Sequence, residues 1–592
     1  MKALLHRFPA LAVASRFRGE LGAHRFKLAA IGAASLGVAG LELLRPWTIQ
    51  WVFDGALIPT GEPPREPFFY IWTGAAAAAL IALLRAGLQY RRSVSLAGVG
   101  HGVTRSLRYR LFDHLSRLSP TFHARHKSGD LLVRLMGDAP MLSGMLVESS
   151  VELVTRVLLV VGTLAVLLAV DPVLTLVLAA VLPLFALVVR WMSGHLTAAV
   201  HKQRKKEGHL ADFLHEAVAG VQAIQALGRV DHVVHRFARG NRRSARAGLK
   251  ATRLAARLSA FVESGLGLAV ASALLLGSLR VAQGHLTAGE LLVFLSYVRS
   301  LLKPVRAASK HAERIAKGTA CGQRILTVLD EGVAVRAEAH LPPAPPRPRS
   351  LRYEDVHFAY GADAPALAGF DGEVRAGELT ALVGRSGAGK STAVALAVRL
   401  HDPDSGRVLL DGTPVRELEL GSLRERFGVC LQETTLFGES VRENLLLGRP
   451  EAGDGELWEA LAGAALAERI DALPDGLDTR LGSAGAGLSG GERRRLSLAR
   501  SLLRRSPILI ADEPFAGLDA ESAAGVRRTL RAYARDAVVL VISHDAARLD
   551  GFDRILFVDR GRVVDAGTHG ELLERCELYR EVLRLQPGEV PA

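Results

Sequence analysis

Leu382-Val383-Gly384-Arg385-Ser386-Gly387-Ala388-Gly389-Lys390-Ser391-Thr392 is the stretch from which the fold can be read. It follows a strand-like run, 379–383, and opens a helical pattern. It matches G-x-x-x-x-G-K-[ST] at Gly384, Gly389, Lys390 and Ser391. Glycines here let the backbone curl so that its N–H groups point inward, and the following helix aims its positive end at the same place. Such a cradle, walled also by Ser386, Gly387 and Thr392, suits the phosphates of ATP. Lys390 can reach the β- and γ-phosphates, and the Ser391 hydroxyl can ligate Mg²⁺.

Downstream, Ile508-Leu509-Ile510-Ala511-Asp512-Glu513 reads as a buried strand ending in two acids. An acidic pair after a strand is often only a helix start, but the phosphate loop at a suitable separation changes its meaning. Asp512 is placed to hold Mg²⁺ and Glu513 to polarise an attacking water as general base. Around these motifs β-branched strands alternate with helical patterns, which predicts a parallel sheet covered on both faces. Upstream, residues 341–350 read LPPAPPRPRS, a proline-rich spacer that cannot hold a helix.

Before that spacer the character changes. With 592 residues more than one domain is expected, and mean hydropathy is +0.20 although 23% of residues are charged, because the apolar runs crowd the first half. A helix needs roughly 20 apolar residues to cross hydrocarbon. Candidate spans centre on 28–44, 68–84, 150–170, 172–189, 258–279 and 286–302, the last interrupted by Glu290 and Arg299. The segments 91–134 and 202–257 are rich in Arg and Lys, which places them and both termini in the cytoplasm. Their apolar residues recur at helical spacing, so the spans are expected to continue as long helices, reversing at Ser128-Gly129-Asp130 and Ala219-Gly220.

The formal net charge of +14 fits a membrane protein with a basic cytoplasmic face, and no aromatic-rich basic module points to nucleic acid. Cys321, Cys430 and Cys576 form no ligand spacing, so neither a disulfide framework nor a zinc site is expected. The basic, amphipathic start is read as a helix on the cytoplasmic face rather than a signal peptide, with no peptidase-like domain ahead of the spans. The expected fold is multi-domain: residues 1–27 an amphipathic elbow, 28–320 an all-α transmembrane domain of six helices, 321–350 a linker, and 351–592 an α/β P-loop NTPase domain.

Leu488-Ser489-Gly490-Gly491-Glu492, ahead of the acidic strand, resembles the signature motif of ATP-binding-cassette proteins. With the spans in front, the chain resembles exporters whose subunits fuse a membrane domain to a nucleotide-binding domain. That resemblance implies an ATPase coupled to transport in the cytoplasmic membrane. It further implies that Tyr360 stacks on adenine, that Gln432 senses Mg²⁺ and the attacking water, that His544 contacts the γ-phosphate, and that Asp519 crosses to the other subunit. The signature loop caps ATP held by a partner, so a dimer is implied, with reversals near 120–130 and 211–222 as coupling helices. Departures are Glu492 where Gln is common, Ala516 where Ser is usual, and Thr479-Arg480-Leu481-Gly482-Ser483-Ala484-Gly485 without the family's two glutamates and arginine. The last is compatible with a heterodimer, but intact catalytic motifs favour a homodimer.

Charge inside a span is costly, so Glu42, Glu148, Glu152, Arg156 and Glu263 stand out. Glu152 and Arg156 are four apart and can neutralise each other. Glu42 and Glu263 lack a partner within their own spans and are expected to line a cavity for a cationic or amphipathic cargo. The leading expectation is an exporter or flippase. The alternatives are an importer on the same fold and a cassette ATPase without a transport role.

Overall fold

The computed structural model describes residues 9–57, 67–335, 340–361, 365–431, 435–482, 485, 487–543 and 549–584. Two compact units emerge: 1–116 with 128–330, and 117–127 with 331–592.

The first unit is helical. Two short helices, Pro9–Arg16 and Arg18–Gly22, precede the long ones, and Glu20 of the second ties to Ser106 and Arg110. The long helices are α1 (Arg25–Val52), α2 (Pro67–Arg117), and, after a short helix α3 (Pro120–Arg125), α4 (Ser128–Val170), α5 (Pro172–Ala219), α6 (Val230–Ala282) and α7 (Ala288–Leu329). Helix α4 contains π-turns at Arg134–Asp138 and Met145–Ser149, each a place where the ladder widens by one residue.

Among the described residues five helical paths are long and apolar enough to cross a membrane: Arg25–Leu57, Pro67–Arg117, Ser128–Val170, Pro183–Ala219 and Val230–Ala282. The sixth expected span falls in α7, which is not one of them; Glu290 and Arg299 dilute its apolar run. Glu290 instead caps α7, its carboxylate accepting from the Thr287 N–H at 2.8 Å. The α7 helix also runs on to Leu329, with Ile325 and Val328 buried, so 321–329 is helix rather than spacer. The first reversal also differs in detail. The chain turns at His126-Lys127, and Ser128-Gly129-Asp130 already opens α4, whereas Gly220 separates α5 from the short helix Val221–Ala226 as expected.

The second unit holds two sheets. The larger has the order β10-β9-β3-β8-β7-β6, with β3 (Leu379–Gly384), β6 (Phe427–Cys430), β7 (Ile508–Asp512), β8 (Val538–Ser543) and β9 (Arg554–Asp559) parallel and β10 (Arg562–Gly567) antiparallel. Each residue of β3, β7 and β8 is buried, which explains their unbroken Val, Ile and Leu runs. The smaller sheet, order β2-β1-β4-β5, is antiparallel: β1 (Ser350–Phe358), β2 (Leu367–Arg375), β4 (Ser405–Leu410) and β5 (Thr413–Pro414). The alternating pattern predicted only a parallel sheet. Among the described residues no helix separates β1 from β2, and strands joined by so short a connection pair antiparallel.

Candidate nucleotide site

Because β3, β7 and β8 are parallel neighbours, their C-terminal ends open at one edge, where a ligand crevice forms. The phosphate loop leaves β3 there and enters α8 (Lys390–Ala397). Its glycines are required by space and by backbone angle. A Cβ at Gly384 would lie 2.2 Å from the Val558 carbonyl oxygen, and one at Gly389 would lie 2.6 Å from that of Ala366, with φ at +103° besides. The Lys390 ammonium donates to the carbonyls of Gly384 (2.7 Å) and Arg385 (2.9 Å), so it is held across the loop's own mouth. Burial lowers its proton affinity, an effect opposed by the nearby carboxylates of Asp512 and Glu513.

These groups line one cleft of about 860 Å³, which brings together Tyr360, Gly384, Ser386, Gly387, Gly389, Lys390, Ser391, Thr392, Asp512 and Glu513. Asp512 ends β7 and is 5% exposed. Glu513 follows at φ +51°, a left-handed angle uncommon for a side chain of its size and of the kind that collects at functional sites. The Glu513 N–H donates to the Ile542 carbonyl (2.9 Å), which fixes its backbone at the sheet edge. Arg494 Nη1 stands 3.8 Å from its Oε2. Arg494 lies in the Arg493-Arg494-Arg495 run after the signature, whose place beside the acid nothing in the local sequence signals. Tyr360 sits at the rim, its hydroxyl donating to Thr392 Oγ1 at 3.3 Å and its ring edge-on to Phe358.

Mg²⁺ keeps few protein ligands, all oxygen, and leaves the rest of its shell to phosphate and water. The Ser391 hydroxyl and Asp512 carboxylate in one cleft fit that need. Among the described residues no group of three or more His, Cys, Asp or Glu makes a dedicated metal cage. Gln432 and His544, the other two expected contacts, lie outside the described residues.

The signature residues Leu488, Ser489, Gly490, Gly491 and Glu492 do not line this cleft. They start α9 (Gly490–Leu503), where the Ser489 side chain accepts from the Glu492 N–H and Glu492 Oε2 accepts from the Ser489 N–H at 2.7 Å. That backbone bond, with help from Arg469, holds the Glu492 carboxyl below its usual range. Glu492 therefore has a structural task as the closing half of a capping box. Asp519 likewise caps α10 (Ala520–Ala534), accepting from the Ser522 N–H (2.8 Å) and hydroxyl (2.9 Å).

In the first unit, α1, α2, α4 and α7 enclose a cavity of about 300 Å³. Glu42 pairs with Arg85 (3.2 Å), and Glu152 is shared by Arg92 (3.0 Å) and Arg156 (2.6 Å). Three arginines thus face two glutamates, and the Nε atoms of Arg85, Arg92 and Arg156 are buried without a hydrogen-bond partner among the described residues. The expected partnership of Glu152 with Arg156 is present. Glu42 gains from α2 the partner its own span lacks, Glu148 lies 3.9 Å from Arg314, and Glu263 is exposed and lines no part of this cavity.

Residues 28–305 match the family description "ABC transporter transmembrane region", and 367–516 match "ABC transporter". A relative from Chromohalobacter salexigens named ATP-dependent lipid A-core flippase is 32% identical over 83% of this chain and 85% of its own length. A protein of the same name from Chromobacterium violaceum is 30% identical, over 96% of each chain. Among solved structures, a bacterial Atm1-family ABC exporter with ATP bound aligns with TM-score 0.80 at 26% identity, over 97% of this chain and 99% of that one.

Proposed function

The chain belongs to the ATP-binding-cassette transporters, as a multi-pass membrane protein whose ATPase drives export, and from that premise we propose that two copies sandwich ATP and use its cleavage to move an amphipathic cargo with an acidic head. Half-transporters of this family generally dimerise. The observation that carries the reading is the division of the machinery. Lys390, Asp512 and Glu513 share one cleft, and the signature loop of the same chain is not among its walls. A second copy, head to tail, would bring its Ser489, Gly490 and Gly491 to that cleft and its Asp519 to the interface.

In this reading the phosphate-loop N–H groups and Lys390 hold the β- and γ-phosphates, and Glu513 orients and deprotonates the attacking water. Ser391 and Asp512, with Gln432, would hold Mg²⁺, which supplies neutralisation of the charge developing on the phosphoryl oxygens. His544 would meet the γ-phosphate and Tyr360 the adenine. The cassettes would close on ATP and part after hydrolysis, and the cytoplasmic ends of the long helices, at α3 and at Gly220, would carry that motion to the membrane unit.

For the cargo, the cavity between α1, α2, α4 and α7 supports an acidic rather than a cationic head. Glu42 is already neutralised by Arg85, and the surplus charge and unpartnered donors are arginine. The substrate for which those relatives are named, lipid A-core, is amphipathic and agrees with that chemistry. The experiment is ATP turnover in vesicles of the Arg85→Gln/Arg156→Gln protein. Loss of stimulation by acidic amphiphiles with basal turnover retained supports the reading. Unchanged stimulation refutes the cargo assignment.

A further inference from the structure

Residues 117–127 pack with the nucleotide-binding unit, and their helix α3 lies against the end of β1, where the chain leads into Tyr360. Phe122 anchors that helix, buried and stacked on His126 with ring centroids 4.1 Å apart. One turn on, Arg125 Nη2 donates to the backbone carbonyl of Tyr360 at 3.1 Å. One turn before Arg125 on the same helix, Thr121 Oγ1 and His401 Nε2 are 3.4 Å apart, within hydrogen-bonding reach. The His401 ring stands edge-on to that of Tyr360, with centroids 5.5 Å apart, and tilted against that of Phe358 at 5.3 Å.

His401 is 8% exposed, and burial lowers its proton affinity against the pull of Asp402, which favours the neutral ring. Its loop is tied to the same strand end. Asp404 accepts from the Ala359 N–H at 2.8 Å and donates its own N–H to the His357 carbonyl at 2.9 Å. The backbone at 359–360 is therefore gripped from two directions: Asp404 takes the donor of one residue and Arg125 the acceptor of the next. Of the two grips, only Arg125 belongs to the connection between α2 and α4.

We propose that Arg125 and His401 are positioning residues that set the ring of Tyr360 according to how α3 is seated, so that affinity for the base end of ATP is linked to the membrane helices. The proposal rests on the reading of Tyr360 as the adenine platform. By linkage, anything that shifts α3 alters ATP affinity, and ATP binding restrains α3 by the same free energy. The effect enters through adenine, so it leaves the triphosphate grip of Lys390 untouched.

The test uses the full chain in bilayer vesicles and measures KM and kcat for ATP together with inhibition by inorganic tripolyphosphate, which has no base. A charge-assisted hydrogen bond at a partly exposed site is worth about 1 kcal/mol, roughly fivefold in affinity. Arg125→Gln is expected to raise KM for ATP by about that factor, with kcat and tripolyphosphate inhibition unchanged. His401→Ala is expected to act in the same direction, and His401→Phe, which keeps a flat ring against Tyr360, to restore most of the loss. Added to Tyr360→Ala, Arg125→Gln should have no further effect, because the ring it positions is gone. Equal weakening of ATP and tripolyphosphate, or an unchanged KM in Arg125→Gln while Tyr360→Ala raises it, overturns the proposal alone. An unchanged KM in Tyr360→Ala overturns the adenine reading and the proposal with it.

Discussion

The phosphate cleft and the arginine cavity both gather positively charged side chains beside carboxylates, and they are built in opposite ways. In the cleft one loop of consecutive residues supplies the cradle and a single ammonium, with glycines at points where a Cβ would meet a carbonyl at 2.2 and 2.6 Å. In the cavity the charge is all side chain, contributed by α2 and α4 and only partly offset by carboxylates on α1 and α4. A backbone cradle cannot be retuned by substitution without being destroyed. A side-chain cluster spread over helices can change its net charge one residue at a time while the helices stay put. That contrast suits a fixed fuel beside a cargo site that substitution can retune.

The sharpest way to break the comparison lies in the cleft. Glu513→Gln should lower ATP turnover by about 10²–10⁴-fold while leaving nucleotide binding intact. Near-normal turnover would mean that another group is the base. Next, Gly389→Ala should cost upward of about 3 kcal/mol in nucleotide binding, roughly 10²-fold in affinity, because strain at φ +103° adds to the overlap with Ala366. Equilibrium binding of labelled ATP measures it, and a loss below tenfold would show the loop to be more compliant than its packing implies.

In the cavity, Glu152→Gln should lower thermal stability by about 3 kcal/mol, since it leaves Arg92 and Arg156 without their shared counter-charge, and Glu42→Gln, which strands one arginine, should cost less. Unfolding midpoints of the two variants in one detergent decide the order. The smallest effect is expected at Glu492→Gln, which keeps the capping box through the amide oxygen and should change α9 stability by no more than about 0.5 kcal/mol. A larger change would show that the carboxylate's bond to Arg469 matters more than its cap.

The same contrast explains what the amino-acid order discloses. The cradle's residues are adjacent, and chemistry dictates their spacing, so Gly384, Lys390, Ser391, Asp512 and Glu513 were legible and meet in one cleft. The left-handed turn at Glu513 and the approach of Arg494 were not, because both follow from how β7 and α9 pack. The antiparallel sheet escaped because β1 and β2, and again β4 and β5, are joined by short connections, a matter of connection length rather than of residue type. In the membrane unit the i, i+4 pair of Glu152 and Arg156 could be read within one helix. The pairing of Glu42 with Arg85 crosses 43 positions and two helices, beyond any local periodicity, and it is one ground for proposing an acidic rather than a cationic cargo head.

In the proposed dimer each ATP is held by the cleft of one copy and the signature loop of another. Complementation between two inactive chains measures this directly. Lys390→Ala has a disabled cleft and an intact signature, Ser489→Arg the converse, and neither should trap nucleotide with vanadate by itself. Mixed and co-reconstituted, they should regain trapping, because dimers containing one of each carry one complete site. No recovery in the mixture, or full trapping by Ser489→Arg alone, would contradict the claim.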